Sequence, residues 1–339
     1  MTDESPAEKL QHLINGYRIT QMVYVTAKLG IADLLATGPR TAEELALAAD
    51  AHPQSLHRLL RALASVGIFA EDASGRFELT PMADCLRTDA AASLHSFAVS
   101  YGEPWWWGSW GDLLHSVRTG QTAFMHRFHS GLFDYLERDG EAADIFNANM
   151  TSMTRQEGAA VASAYDFSET RVLVDIGCGH GALAAAILKR WPRVQAILFD
   201  QPAVLEGARR ALRNLDVETR CELIAGDFFE AVPRGGDTYT IKDVLHDWND
   251  DQALTILRAC RAAMGSESKL LVLERVILPG NDPSPGKLID INMLVLMGGR
   301  ERTGAEYRSL LQAAGFEPTR IVPTRPGVSV IEAVPLKHA

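Results

Sequence analysis

Apolar residues recur every three or four positions through the first part of the chain, a spacing that predicts short amphipathic helices. Two of the helix starts have a clear chemical cause. Thr41, followed three residues later by Glu44, has the pattern of a capping box, and Pro53 suits the first turn of a helix. The helices predicted from this spacing cover residues 9–36, 41–49 and 53–67.

A β-hairpin is predicted directly after the third helix. Residues 68–72 and 76–80 each alternate apolar and polar side chains, and the residues between them favour a turn. Helices followed by a hairpin make a winged-helix arrangement, and we assign this first domain to residues 1–95.

Helical spacing continues through residues 96–165, which show no strand pattern and contain four tryptophans in the segment WWWGSW at 105–110. We interpret this region as a helical bridge that contributes to a substrate pocket. Tryptophans at such spacing are more often core or interface residues than pocket walls, so we expect at least two of them to be packed.

After Asp166 the pattern changes to apolar strands that alternate with helices, among them RVLVDI, QAILFD, CELIAGD and KLLVLERVIL. This alternation predicts a parallel sheet covered by helices on both faces, and the final segments GFEPTRIVPT and VSVIEAVP predict a closing antiparallel pair. We therefore expect an α/β, Rossmann-like domain over residues 166–339, preceded by the helical winged-helix domain.

The composition narrows the possible partners and location. The 339 residues contain 33 Lys plus Arg and 43 Asp plus Glu, a formal net charge of −10, which gives no reason to expect nucleic acid or an anionic membrane. The opening residues are acidic and polar, unlike a secretory signal, and no apolar run reaches membrane-spanning length, so we expect a cytoplasmic protein. The four cysteines are scattered, which favours neither disulfides nor a zinc site, and we expect no metal.

A glycine-rich turn follows the first predicted strand of the α/β region. Gly177, Gly179 and Gly181 alternate with Cys178 and His180, and Asp175 lies two residues earlier. Glycines let the backbone approach a ligand closely at the carboxyl edge of such a sheet. The GxGxG spacing is one residue shorter than the dinucleotide pattern GxGxxG, so this turn suits a ligand without pyrophosphate.

Two further acids are expected at neighbouring strand ends. Asp200 ends the second strand, where a carboxylate can accept hydrogen bonds from both ribose hydroxyls, and Asp227 is expected to end the third, with Phe228 placed to lie against an adenine. A strand-end aspartate can equally cap the next helix. Three acids in order at three strand ends favour an adenosine ligand with a cationic or zwitterionic tail, which S-adenosylmethionine fits.

A histidine and two glutamates are expected at the same edge. His246 follows the fourth strand, Glu274 ends the fifth, and Glu301 is expected to open the helix that begins ERTGAEYRSLL. A histidine with a pKa near neutrality can take a phenolic proton, and flanking carboxylates can fix its tautomer. The alternatives are a structural histidine and, for Glu301, an ordinary acidic residue at a helix start.

The ordered motifs DIGCGHG, FDQP, GDFF, KDVLHDWND, LERVILP and GGRERTGAEYRSLLQAAGF resemble those of the caffeate O-methyltransferase-like family of plant-type and actinobacterial small-molecule O-methyltransferases. The resemblance covers nearly the whole chain. It implies a homodimer joined through the winged-helix domain, S-adenosylmethionine as methyl donor, a small aromatic or polyketide-type acceptor and no metal.

The resemblance also implies roles for individual residues. His246 corresponds to the general base, and Glu274 and Glu301 correspond to its flanking carboxylates. At position 297 a methionine replaces the asparagine of lignin-pathway members, which disfavours a lignin monomer. The residues implied for the cofactor are Thr154, Arg155, Asp175, Gly177, Gly179, Asp200, Gly226, Asp227, Phe228, Phe229 and Lys242. Those implied for the acceptor are Met150, Asp247, Met293 and Met297.

Other functions remain open on the sequence. An N-methyltransferase would also benefit from a base, and some actinobacterial relatives bind the donor but serve in hydroxylation or decarboxylation. A winged-helix transcription regulator is opposed by residues 1–95, which carry 8 Lys plus Arg against 12 Asp plus Glu. A nicotinamide dehydrogenase is opposed by the glycine spacing.

Overall fold

The structure is a computed structural model that describes residues 5–213, 215–324 and 327–336. Residues 1–4, part of the acidic opening, lie outside the described residues. The chain divides into two compact units, Met1–Gly108 and Ser109–Ala339. The three-part division drawn from the sequence stays a prediction. No helix of the described residues is long and apolar enough to cross a bilayer.

The first unit is built from helices and a small antiparallel sheet. The hairpin strands pair with each other, and a third strand of only two residues joins them, in the order β1-β3-β2. Its elements are α1 (Pro6–Lys28), α2 (Ile31–Leu35), β1 (Arg40–Thr41), α3 (Ala42–Ala48), α4 (Pro53–Ser65), β2 (Phe69–Glu71), β3 (Arg76–Leu79), α5 (Pro81–Asp84) and α6 (His95–Gly102); α7 (Pro104–Gly111) crosses the boundary between the units.

Local chemistry explains these helix starts. The Thr41 side chain accepts from the amide of Glu44 while the Glu44 carboxylate accepts from the amide of Thr41, so the predicted capping box is confirmed. Pro53 occupies the first turn of α4, also as predicted. The expected packing of at least two tryptophans is confirmed as well, because Trp105 and Trp106 are buried.

The second unit begins with helices and continues as an α/β sheet. The helical region contains α8 (Leu113–Thr119), α9 (Ala123–Phe128), α10 (Leu132–Arg138) and α11 (Gly140–Ala164). The α/β region contains β4 (Val172–Ile176), α12 (Ala182–Arg190), β5 (Gln195–Asp200), α13 (Pro202–Arg213), β6 (Cys221–Ala225), β7 (Thr238–Lys242), α14 (Asp250–Ala263), β8 (Lys269–Glu274), β9 (Val276–Ile277), α15 (Pro285–Leu296), β10 (Arg302–Thr303), α16 (Gly304–Ala313), β11 (Phe316–Pro323) and β12 (Ser329–Pro335). Short 3₁₀ turns cover Glu218–Arg220 and Leu245–Asp247.

Seven strands form the main sheet, in the order β11-β12-β8-β7-β4-β5-β6. Strands β4 to β8 pair in parallel, and β12 pairs antiparallel with both β8 and β11, as the sequence predicts. Apolar side chains of the sheet and its helices form two buried clusters. The carboxyl ends of β4 to β8 therefore meet at one edge, where the predicted functional residues lie.

Candidate active site

The turn after β4 depends on its glycines. Gly177, Gly179 and Gly181 all have positive φ, at 66°, 54° and 76°, a region that side chains other than glycine rarely adopt. A Cβ at Gly177 would also lie 2.7 Å from Cγ2 of Val244, on the segment that follows β7. The turn can therefore lie close to the neighbouring strand end, and it is tied to the end of β5, because the amides of Gly177 and Cys178 donate to the carbonyl of Phe199 at 2.9 and 3.3 Å.

Asp200 ends β5, as predicted, and binds this turn. Its Oδ2 accepts from the amide of Gly179 at 2.8 Å, and its Oδ1 accepts from the amide of Gln201 at the same distance. Burial raises the pKa of Asp200, although these two hydrogen bonds oppose the shift. Each carboxylate oxygen keeps a second lone pair for a ligand hydroxyl.

The other two strand-end acids differ from each other. Asp175 is buried within β4, where the Thr240 hydroxyl donates to one oxygen at 2.7 Å; the other oxygen has no hydrogen-bond partner among the described residues, and burial raises the pKa to about 7. Asp227 does not end the third strand. That strand stops at Ala225, and Asp227 is exposed in the following turn, where it accepts from the amide of Phe229 at 2.8 Å.

Four predicted residues come together at the ends of β7 and β8: His246, Asp247, Glu274 and Glu301, here called the catalytic cluster. Nδ1 of His246 lies 2.8 Å from Oε1 of Glu301 and 3.4 Å from Oε2 of Glu274. Nε2 lies 3.4 Å from Oδ1 of Asp247. The short contact with Glu301 favours a proton on Nδ1, which leaves the Nε2 lone pair free to accept a proton.

Three groups of this cluster, His246, Asp247 and Glu274, have raised pKa values. Burial lowers the pKa of His246, but the charges of Glu274 and Asp247 and the hydrogen bond to Glu301 outweigh it and raise the pKa well above the ordinary value. Burial raises the pKa of Asp247 to about 7 and that of Glu274 to about 8, against the opposing charge of His246. The imidazole, Asp247 and Glu274 lie so close together that their protonation states depend on one another.

Glu301 does not open the helix, contrary to expectation. It precedes the two-residue strand β10, and α16 starts at Gly304 behind a capping box formed by Thr303 and Glu306. Glu301 still lies in the site. Oδ1 of Asp290 accepts from its backbone amide at 2.9 Å, and the carboxylate of Glu301 contacts His246.

Backbone contacts fix the segment that carries His246. Glu274 Oε1 accepts from the amides of Val244 and Leu245 at 3.1 and 2.9 Å. On the other side, the fully buried guanidinium of Arg302 donates to the carbonyls of Leu245 at 2.8 Å and Trp248 at 2.9 Å. Arg302 was not among the residues predicted from the sequence, although an arginine directly after Glu301 was the available signal.

The structure places the predicted cofactor residues of α11 and β7 in different surroundings. Arg155 is exposed. Lys242 is buried, with Nζ 2.7 Å from Oε2 of Glu157 and 3.3 Å from the hydroxyl oxygen of Thr154; it also pairs with Asp243. The assignment of these residues to the cofactor stays a prediction. Neither Glu157 nor Asp243 was among the functional residues predicted from the sequence.

Asp243, His246 and Glu274 offer ligand atoms within 4.8 Å of one another, a spacing that a metal ion can use. Their other contacts oppose that use. Asp243 already pairs with Lys242 and Arg275, and the two positive charges disfavour a further cation. Glu274 accepts two backbone amides.

Aromatic rings of the second unit form a cluster around Trp248. Trp248 is the central ring: it lies 5.9 Å from Phe133, 6.3 Å from Phe228 and 4.8 Å from Phe229, measured between centroids. Phe146 on α11 contacts Phe133 edge to face. The predicted acceptor residues Met150 on α11 and Met297 after α15 are half-buried, and Met293 on α15 is buried. Their contact with an acceptor stays a prediction.

Comparison with known proteins identifies the class that this fold and site define. The model of the O-methyltransferase domain matches residues 110–317, and the model of the O-methyltransferase dimerisation domain matches residues 11–89. The chain therefore belongs to the O-methyltransferase family.

The relatives cover almost the whole chain. Phenazine O-methyltransferase PhzM of Lysobacter antibioticus is 44% identical over 96% of this chain and 96% of its own length. An 8-amino-8-demethylriboflavin N,N-dimethyltransferase of Streptomyces davaonensis is 37% identical over 97% of this chain and 96% of its own. The crystal structure of NcsB1, an O-methyltransferase from neocarzinostatin biosynthesis in complex with S-adenosylmethionine and 2-hydroxy-5-methyl naphthoic acid, aligns with a TM-score of 0.80 at 34% identity, over 94% and 96% of the two chains.

These findings confirm several expectations from the sequence. The chain is a methyltransferase that depends on S-adenosylmethionine, with a Rossmann-like catalytic domain and an N-terminal helical dimerisation domain. The family resemblance is confirmed, and the relatives include enzymes of antibiotic biosynthesis.

Proposed function

We propose that this methyltransferase acts on a hydroxyl of a planar aromatic or polyketide-type secondary metabolite, with His246 as general base and without a metal. The contact that carries the proposal is the 2.8 Å bond between Nδ1 of His246 and Glu301, because a proton held on Nδ1 leaves Nε2 of the neutral ring as the basic atom. Nε2 would take the hydroxyl proton while the acceptor oxygen bonds to the methyl carbon and the bond from that carbon to the sulfonium sulfur breaks, which leaves S-adenosylhomocysteine.

The residues at the glycine turn fit S-adenosylmethionine. The carboxylate of Asp200 has lone pairs for two ribose hydroxyls. The space beside Gly179 is open, since a Cβ at this position would meet no atom within 4 Å. Phe228 is half-buried and offers a ring face to an adenine. When bound, S-adenosylmethionine supplies a methyl carbon that its sulfonium sulfur makes electrophilic.

The acceptor is best matched by a flat ring system. The rings of Phe133, Phe146 and Trp248 offer apolar faces near Asp247, and a planar molecule gains most from such surfaces. The raised pKa of Asp247 lets its protonated form donate to a second oxygen beside the methylated one, such as a carbonyl.

N-methylation is the second candidate, because the related riboflavin-derivative dimethyltransferase methylates nitrogen while sharing 37% identity. An aromatic amine also loses a proton during methyl transfer, so the same histidine would serve it. The two candidates differ in the acceptor and not in the base.

The test is transfer of labelled methyl from S-adenosylmethionine to separate pools of phenols, hydroxyquinones and aromatic amines. We expect transfer to the hydroxyl pools, and His246→Ala should lower turnover by about 100- to 10,000-fold, the usual contribution of a general base, with donor affinity nearly unchanged. Added chelator should leave the rate unchanged.

Each part of the proposal can fail separately. A fully active His246→Ala variant would remove the histidine from the reaction. Transfer only to amines would establish the second candidate, and donor binding with no transfer to any pool would favour a non-methylating role. Activity lost with chelator and restored by a divalent cation would contradict metal independence.

A further inference from the structure

Four charged side chains meet beside the catalytic cluster: Glu157, Lys242, Asp243 and Arg275, here called the ion network. Lys242 lies 2.7 Å from Glu157 and also pairs with Asp243, while Arg275 lies 3.0 Å from Asp243 and also pairs with Glu157. Each cation thus contacts both anions. The network joins helix α11 to the carboxyl ends of β7 and β8.

Stability alone does not explain such a network. Lys242, Glu157 and Arg275 are buried, and the desolvation of buried ions often cancels their mutual attraction, so a well-packed apolar set would serve a purely structural purpose as well. The two positive and two negative charges balance. Removing one of them leaves an uncompensated charge in a region of low dielectric, where its field extends further than in water.

The network directly adjoins the proposed base. Ligand atoms of Asp243, His246 and Glu274 lie within 4.8 Å of one another, and Arg275 is the residue after Glu274. Burial opposes the charge of Arg275, yet Asp243, Glu157, Glu301 and Glu274 all raise the pKa of its guanidinium, so its field reaches two carboxylates of the catalytic cluster.

The network also holds an uncommon backbone conformation. Asp243 has φ 49°, in the left-handed region that few residues other than glycine, asparagine and aspartate adopt. Its carboxylate is fixed by Lys242 and Arg275, and its amide donates to the carbonyl of Leu273 at 3.2 Å. The next residues lead into the 3₁₀ turn that carries His246.

We propose that the ion network positions the His246 segment against helix α11 and sets the electrostatic potential at the His246 ring. Glu157 and Arg275 are then positioning residues of the methyl transfer: they touch neither substrate nor donor, and they act through Asp243. The inference rests on the proposed role of His246 as base.

Several other groups contribute to the potential at His246. The titratable and charged groups around it from the neighbouring elements are Glu157 of α11, Lys242 of β7, Asp243 and Asp247 of the following segment, Glu274 and Arg275 at β8, Asp290 of α15, Glu301 and Arg302 at β10, and Tyr307 of α16. Glu157 and Arg275 can be changed without altering Asp247, Glu274 or Glu301, the carboxylates that contact the ring.

The experiment compares the dependence of kcat/KM on pH in the wild type, Glu157→Gln and Arg275→Gln. The base must be deprotonated to act, so the rate rises with pH through the apparent pKa of the catalytic cluster. Glu157→Gln removes a negative charge, which favours loss of the proton and moves this rise to lower pH. Arg275→Gln removes a positive charge and moves it to higher pH. We expect shifts of about half a pH unit or more in each direction.

Charge-conserving variants separate electrostatics from packing. Arg275→Lys and Glu157→Asp should keep the rise near its wild-type pH even where kcat falls. Glu332→Gln is the matched control, because this carboxylate on β12 accepts from Thr319 and Arg320 and belongs to neither cluster. Circular dichroism and thermal melting establish which variants fold. If only one of Glu157→Gln and Arg275→Gln folds, its pH profile can still be compared with that of the wild type.

Two outcomes would overturn the proposal. In the first, the glutamine variants fold and their kcat/KM rises at the same pH as in the wild type. In the second, the rise moves in the same direction in both variants. Full activity of His246→Ala in the same assay would instead contradict the proposed base, so the two failures can be told apart.

Discussion

Asp200 holds the glycine turn, and we propose that it also binds the donor. Its carboxylate accepts from the amide of Gly179 across the turn and from the amide of Gln201 next to it, and each oxygen keeps a lone pair for a ligand hydroxyl. Donor binding and turn geometry would then depend on one side chain.

We expect Asp200→Ala to raise the dissociation constant for S-adenosylmethionine by about 10- to 100-fold, since it removes charge-assisted hydrogen bonds worth about 1.5–3 kcal/mol. Isothermal titration calorimetry measures this directly. Glu222→Ala, an exposed carboxylate on the neighbouring strand β6, should leave the affinity unchanged. Unaltered affinity in Asp200→Ala would mean that the carboxylate only caps the turn.

The position of Lys242 could be predicted from the sequence, but its partner could not. Its place at the end of β7 was predictable, because the β-branched and aromatic residues Thr-Tyr-Thr-Ile that precede it favour a strand. Its ion pair with Glu157 was not, because that partner comes from a helix 85 residues earlier and only the folded chain brings the two together. The same holds for Arg302: an arginine after Glu301 is visible in the sequence, but the backbone carbonyls that it binds and its ion pair with Asp250 are not.

At the scale of elements, the sequence predicts whatever has a local cause. Thr41 and Pro53 mark helix starts through capping and dihedral preference, and the alternation after Asp166 predicts the parallel strands. The two-residue strands β1 and β10 have no pattern long enough to detect, which is why Glu301 was wrongly expected to open a helix. The capping box at Thr303 and Glu306 was present in the sequence and gives the true start.

Gly299 permits a close approach between two elements of the site. A Cβ at this position would lie 2.0 Å from the carbonyl oxygen of His246 and 2.5 Å from the amide nitrogen of Trp248. Backbone atoms cannot yield as a side chain can, so the segment before Glu301 and the His246 turn must separate if Gly299 is replaced.

We therefore expect Gly299→Ala to lower kcat roughly 100-fold, the effect of displacing a catalytic group by about 1 Å, and to lower the melting temperature. Gly140→Ala, at the first residue of α11 where a Cβ meets nothing within 4 Å, is the control and should change neither quantity appreciably. Wild-type turnover in Gly299→Ala would show that the turn tolerates the displacement.

At the scale of the whole molecule, helix α1 exposes an apolar face. Leu10, Leu13, Ile14 and Tyr17 follow helical spacing and are 58%, 78%, 63% and 53% exposed. Apolar side chains gathered on one face usually mark a protein interface, and the match to the dimerisation domain covers this helix. We propose that a second copy of the chain covers this face.

Leu13→Asp should therefore shift the protein from dimer to monomer in size-exclusion chromatography with light scattering, because a charge at the interface must be desolvated. Leu288→Asp, an equally exposed leucine of the second unit, should leave the mass unchanged. A wild-type protein that runs as a monomer at all concentrations would refute the assignment of α1 to a dimer interface.

The sheet order has a consequence for synthesis on the ribosome. Strand β12 borders β8 and pairs Ser329 with Glu274, although it is made long after the glycine turn of β4. A chain that has emerged only as far as β8 contains the glycine turn, but it lacks Glu301 and the strand that borders β8. The catalytic cluster is therefore completed late in translation, well after the glycine turn has been made.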